Sequence, residues 1–216
     1  RGELGRWEEG VREALRGVCG GPVRFVDLRQ IPDESAAREA LLSPMPAALV
    51  LGNGETYALL YELQRLGGHR LCNAAMDMGA VVVGVSAGAI CLGLSAETAL
   101  WKGRDMESPP NAPEAWAGHK DGMALVPTGF SVFVHDAEEH SGVVADRCGS
   151  LPGPLLTLTD EQHVSYVGGR QSVLDEDYEF LPHFYADDDA VEEDTGPPDA
   201  LDGEGWRVPE GVWPKK

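Results

Sequence analysis

"AVVVGVSAGAICLG", residues 80–93, is the stretch on which the reading of this chain turns. Residues 80–85 are apolar or glycine, and their three consecutive valines predict a short buried strand. Small residues then start a predicted helix, with Ser86 at the junction. A serine there has two readings. It caps the helix with its side chain, or it is a nucleophile raised on a tight strand-to-helix turn. Gly84-Val85-Ser86-Ala87-Gly88 matches the G-x-S-x-G pattern in the strand-then-helix context that the second reading requires. Small residues two positions before and after the serine let neighbouring chains pass closely. Ala89 keeps the first helical turn almost free of side-chain bulk. On the nucleophile reading, the Ala87 N–H at the helix start faces a developing oxyanion.

Outward from this stretch, strands and helices alternate. Trp7, Val11, Leu15 and Val18 are spaced as one helical stripe over residues 6–19, stopped by Gly20-Gly21. "VRFVDL" (23–28) predicts a strand. "DESAAREALLS" (33–43) predicts a helix with Asp33 or Ser35 at its start and Pro44 ending it. "AALVLG" (47–52) predicts a second strand. Helices follow over "TYALLYELQRLGG" (56–68) and "HRLCNAAMDMG" (69–79), and then the strand of residues 80–85. Wholly apolar strands separated by helices indicate an α/β fold, with a parallel sheet covered on both faces. Residues 101–122, rich in Gly, Pro and charge, predict a long loop. "GFSVFVHD" (129–136) resumes as a strand. Residues 155–174 predict short strands with a Gly-Gly turn, arranged as antiparallel hairpins at the sheet edge. We therefore expect one domain over residues 1–186, followed by an acidic, Pro/Gly-rich tail over 187–216.

The 216 residues carry 17 basic and 36 acidic side chains, a net charge of −19. Nucleic acids and anionic membranes both need a basic face, so neither is expected as a partner. No apolar run approaches the ~18–20 residues of a membrane span. The first residues show no signal-peptide pattern. The four cysteines form no CxxC pair, so zinc-finger spacing is absent, and the serine chemistry expected here needs no metal or other cofactor. They read as reduced thiols, giving an expected cytoplasmic location. Cys91, five residues after Ser86, reads as core. Monomer and homodimer both remain open.

A serine nucleophile needs a base and an orienting acid. Of His69, His119, His135, His140, His163 and His183, only His135 ends an apolar strand, where a base facing the elbow should lie. For the acid, Asp105, Asp136, Asp160 and Glu161 stay open. Asp136 is disfavoured because adjacent strand residues point to opposite faces. "LGNGETY" (51–57) is a second strand, turn and helix start. If its strand lies beside the serine strand, Gly54 offers a second oxyanion N–H, worth roughly 3 kcal/mol in a transition state. A phosphate loop is the competing reading of this turn. It lacks both the P-loop lysine and the G-x-G-x-x-G spacing.

"GVSAGAICLG", together with "VLGNGETYALL" and "VFVHD", resembles the peptidase E, or aspartyl dipeptidase, family of serine peptidases, which includes the cyanophycinases. The resemblance spans roughly residues 5–175. It implies a three-layer α/β/α fold with a mostly parallel central sheet, similar to class I glutamine amidotransferases. It also implies a strand-helix-strand unit ahead of residue 6, so that this chain starts after it. The implied triad runs Ser86, His135, acid, and "LTLTDEQHV" places Asp160 at the acid position with Glu161 one residue off. Gly54 and Ala87 are then the oxyanion donors. "GRDMES" falls in an implied active-site loop, making Arg104 and Asp105 candidates for substrate contact. Glu55, where the family has Asn, is a candidate for binding a substrate amino group. The implied activity is hydrolysis of dipeptides or short peptides, including those with an N-terminal Asp. The alternatives are a cyanophycinase-like amidase or esterase and a non-catalytic binding homologue.

Overall fold

Strands β1 (Ala48–Leu51) and β2 (Val81–Gly84) run parallel, with Leu49 opposite Val82 and Leu51 opposite Gly84. The computed structural model in which they pair describes residues 9, 11–13, 21–52, 54–103, 105–106, 109, 112–113, 119–126, 129–167 and 170–173. The expected tail over 187–216 lies outside the described residues. Among the described residues, no helix is long and apolar enough to cross a membrane.

Helix α1 (Glu34–Leu42) precedes β1 and starts where Asp33 accepts the Ala36 N–H at 2.9 Å. Two helices, α2 (Thr56–Arg65) and α3 (Gly68–Asp77), make the crossover from β1 to β2. After β2 comes the short helix α4 (Ala87–Leu92), which packs against α2, β1, β2 and the next strand, β3 (Ser131–Val134). Helix α5 (Ser141–Arg147) then carries the chain to β4 (Leu155–Leu158). β3 and β4 form a second parallel pair, with Val134 opposite Leu158. A hairpin of β5 (Val164–Val167) and β6 (Arg170–Val173) ends the described chain. This is an α/β fold.

The alternating pleat explains which strand residues are buried. Leu49, Leu51 and Val82 join the main core with Tyr57, Leu60, Leu63, Leu71, Ile90 and Cys91. On the opposite face of the same pair, Val50, Val81 and Val83 stay accessible, Val81 the most at 61%. The run of valines therefore has helical cover on one face, among the described residues, rather than on two. A smaller cluster of Trp101, Phe133 and Leu155 packs with Val143, Val144 and Leu151 between α5 and the β3–β4 pair.

Three expectations change. Residues 23–28 do not form a strand: Asp27 accepts the Arg29 N–H and turns the chain into a short 3-10 helix at Leu28–Gln30. Its carboxylate competes with a ladder for the backbone, as short polar side chains do. The expected loop over 101–122 loses its first two residues to a 3-10 helix, Glu97–Lys102, which buries Trp101 against Phe133 and Leu155. β4 is not part of an antiparallel hairpin. It pairs parallel with β3 because α5 supplies a crossover, which a two-residue turn cannot do. Of the predicted helix over 6–19, residues 9 and 11–13 are helical and the rest lie outside the described residues.

Candidate active site

The turn at Ser86 is set by two close approaches. A Cβ on Gly84 would sit 2.7 Å from the Ala89 backbone, and one on Gly88 would sit 2.2 Å from the Leu51 carbonyl oxygen. Glycine is needed at both places for α4 to fold back over β1 and β2. The Gly88 N–H donates to the Gly52 and Val85 carbonyls, tying the turn to the end of β1. Ser86 absorbs the resulting strain, with φ 53 and ψ −111. A non-glycine residue held there costs of order 1–3 kcal/mol.

Ser86 occupies the N-cap position of α4, yet its hydroxyl makes no capping bond. Its Oγ lies 2.7 Å from His135 Nε2 instead. On the other side of the ring, His135 Nδ1 is hydrogen-bonded to Asp160 Oδ1. A carboxylate only accepts, so Nδ1 donates in that bond, and in the tautomer that carries its one proton there Nε2 accepts the Ser86 hydroxyl. His135 is 45% exposed and Asp160 76% exposed, so the site opens to solvent.

His135 also has a positive φ, 54. Its position explains the value. In a regular parallel ladder, the donor to the Leu158 carbonyl would be the His135 N–H. The donor is the Asp136 N–H, one residue later, at 2.9 Å. That one-residue slip is bulge-like, and bulges re-aim side chains beside functional sites. Asp160 reaches the ring from a tight turn after β4, where Thr159 N–H donates to Gln162 Oε1 at 3.0 Å. Glu161, one residue on, is exposed and uses its N–H on Thr159 Oγ1. Its carboxylate makes no bond to His135.

Ser86, His135 and Asp160 follow the carboxyl ends of β2, β3 and β4, and Gly54 follows that of β1. Open α/β sheets bind ligands at that end. Gly54 has φ 136 and is exposed. β1 does lie beside the serine strand, as the oxyanion reading of Gly54 required. The Ala87 N–H is the first of α4, where no intrahelical acceptor exists.

Two of the candidate substrate contacts, Glu55 and Asp105, lie at the start of α2. Glu55 caps α2, accepting from the Tyr57 and Ala58 N–H groups, and also accepts the Met106 N–H at 3.2 Å. Asp105 accepts the Thr56 N–H and the Thr56 hydroxyl, each at 3.2 Å. Two carboxylates thus satisfy the free donors at the start of α2 and clasp residues 105–106 to it, favourably to the helix dipole. Glu55 points its charge along α2 and spends both oxygens on backbone. Arg104 lies outside the described residues. Beneath the clasp, Cys91 is buried as core and donates its thiol to the Thr56 carbonyl at 3.6 Å. Burial, with Glu55 and Asp105 nearby, pushes that thiol far above its usual range.

Two comparisons bear on this fold and sequence. The profile of peptidase family S51 matches residues 9–174, and the chain belongs to that family. It is therefore a peptidase of the peptidase E type. A protein from Listeria monocytogenes EGD-e, whose crystal structure carries the peptidase E name, has a similar fold. The TM-score is 0.56 at 18% identity, over 77% of this chain and 76% of that one. No curated protein sequence matches this chain.

Proposed function

We propose that this chain is a serine peptidase that cleaves dipeptides or other short peptides through an acyl-enzyme. The observation that carries the reading is the relay from Ser86 Oγ through His135 to Asp160. Ser86 Oγ attacks the scissile carbonyl as His135 Nε2 takes its proton. The carbonyl oxygen becomes an oxyanion, met by the Ala87 and Gly54 N–H groups. As the tetrahedral intermediate collapses, the C–N bond breaks and Nε2 returns the proton to the leaving amine. Water, deprotonated by the same nitrogen, then releases the acid and restores Ser86. Asp160 holds the ring with Nδ1 protonated and balances the imidazolium that forms.

Strain at both Ser86 and His135 supports the assignment, because strained backbone collects at functional sites. The proposed substrate has an N-terminal Asp, following the family likeness. The test is a panel of Asp-X dipeptides, other dipeptides and an Asp-Arg polymer, assayed with wild type and Ser86→Ala. Cleavage of short peptides by wild type alone is the expected result. Cleavage of the polymer only would move the substrate to the cyanophycin type. Equal activity of Ser86→Ala would remove the nucleophile assignment.

A further inference from the structure

The backbone at His135 is held from both sides, and one of the two holds is a side chain far away in sequence. Residues 131 and 133 of β3 turn their peptide groups toward β4, as the Ser131 N–H to Pro154 bond shows. The carbonyls of Val132 and Val134 therefore face the other edge. No strand pairs there among the described residues. The 3-10 helix Glu97–Lys102 lies along that edge instead. Fully buried Thr98 donates its hydroxyl to Val132 C=O at 2.6 Å, and Lys102 Nζ donates to Val134 C=O at 2.7 Å. The Lys102 ammonium also sits 5.0 Å from the centre of the Phe133 ring, which favours a cation there.

The Val134 carbonyl belongs to the peptide unit whose N–H is that of His135. Its orientation is what sets φ of His135. The following peptide unit, which sets ψ, is anchored by the Asp136 N–H on Leu158 C=O. We propose that Lys102 is a positioning residue for His135, locking the left-handed backbone that aims Nε2 at Ser86. Without the ammonium, the 134–135 peptide is free to relax toward the extended region that a non-glycine residue prefers. The ring then leaves the 2.7 Å contact with Ser86 Oγ. The inference rests on the proposed role of His135 as base.

The test is the rate at which a fluorophosphonate probe labels Ser86 in full-length protein. Variants are Lys102→Met, Lys102→Arg, Thr98→Val and His135→Ala, with far-UV circular dichroism and Tm for each. A misplacement of about 1 Å costs on the order of 10²-fold, so Lys102→Met should label about 10- to 100-fold more slowly. With dipeptide substrate its loss should fall on kcat rather than KM. Lys102→Arg, which keeps a cationic donor, should recover most of the rate. Thr98→Val removes the neighbouring edge bond without touching the His135 peptide, so its Tm should fall while its labelling rate holds. Wild-type labelling of Lys102→Met, with His135→Ala unlabelled, overturns the positioning role and leaves the base intact. Equal slowing in Thr98→Val and Lys102→Met also overturns it, since edge stability alone would then explain both. Wild-type labelling of His135→Ala overturns the base assignment itself, and the inference with it.

Discussion

Gly88→Ala puts the geometry of the serine turn under direct stress. The new methyl would lie 2.2 Å from the Leu51 carbonyl oxygen and 2.7 Å from its carbon, where ordinary contact begins at 3.4 Å. Both obstacles are backbone in β1, which is paired with β2 and cannot swing aside as a side chain would. To restore contact, α4 must lift from β1 by about 1 Å, an overpacking that costs about 2 kcal/mol. Alanine's better helix propensity returns up to about 1 kcal/mol of that. At about 2–4 °C per kcal/mol for a chain of this size, Tm should fall by roughly 2–8 °C. Activity should suffer more than stability. The same lift carries Ser86 and the Ala87 N–H away from His135, and a 1 Å misplacement is worth about 10²-fold. Thermal unfolding followed by circular dichroism reads the first effect, and fluorophosphonate labelling of Ser86 reads the second. A Gly88→Ala protein with wild-type Tm and labelling rate would refute the close approach, and with it the reason for glycine at that position.

Other outcomes follow from single contacts. Asp160→Asn should lower kcat by on the order of 10³-fold or more, because an amide no longer holds the ring with Nδ1 as donor. Glu161→Gln, whose carboxylate makes no bond to the ring, should change kcat by less than about 2-fold, and both are read by steady-state dipeptide hydrolysis. Burial pushes the Cys72 thiol up to about 11 and raises that of Cys91 further, while Cys148 is exposed. Iodoacetamide at pH 8 should therefore modify Cys148 in the native protein but reach Cys72 and Cys91 only after unfolding, as peptide mass mapping would show. Leu60→Ala, at a fully buried position of the main core, should cost about 2–5 kcal/mol in urea unfolding. Arg29 holds the Asp27 carboxyl below its usual value through bonds of 2.9 and 2.8 Å. A lowered pKa stabilises above about pH 4 and loses that contribution as pH falls through the folded value. The pair is accessible, so Asp27→Asn should flatten the acid limb of the stability curve by under about 1 kcal/mol.

Part of this molecule is written locally. The alternation of apolar runs with helical stripes specifies β1, α2, α3 and β2. Asp33 marks the start of α1, and the small residues around Ser86 specify a tight turn, because each depends on neighbours within a few residues. His135 was legible for the same reason: an apolar run that stops at a histidine places it at a strand end. Residue type and spacing left Asp105, Asp136, Asp160 and Glu161 open, since they are chemically alike, and only the family resemblance pointed to Asp160. Of these four, Asp160 meets His135 Nδ1, because the one-residue slip at His135 and the Thr159 turn converge across β3 and β4. Their residues are 25 positions apart in sequence. That Glu55 and Asp105 bond the first turn of α2 is visible only in the fold, since Asp105 reaches Thr56 from 49 residues away. "VRFVDL" has the composition of a strand, but strand formation needs a ladder partner that composition does not supply. The carbonyl of Val134 carries no side-chain signal at all, so the place of Lys102 beside it exists only in three dimensions. Short-range steric and capping preferences are thus encoded residue by residue. Which charged group meets which is settled by strand register, where a shift of one residue turns every side chain to the other face.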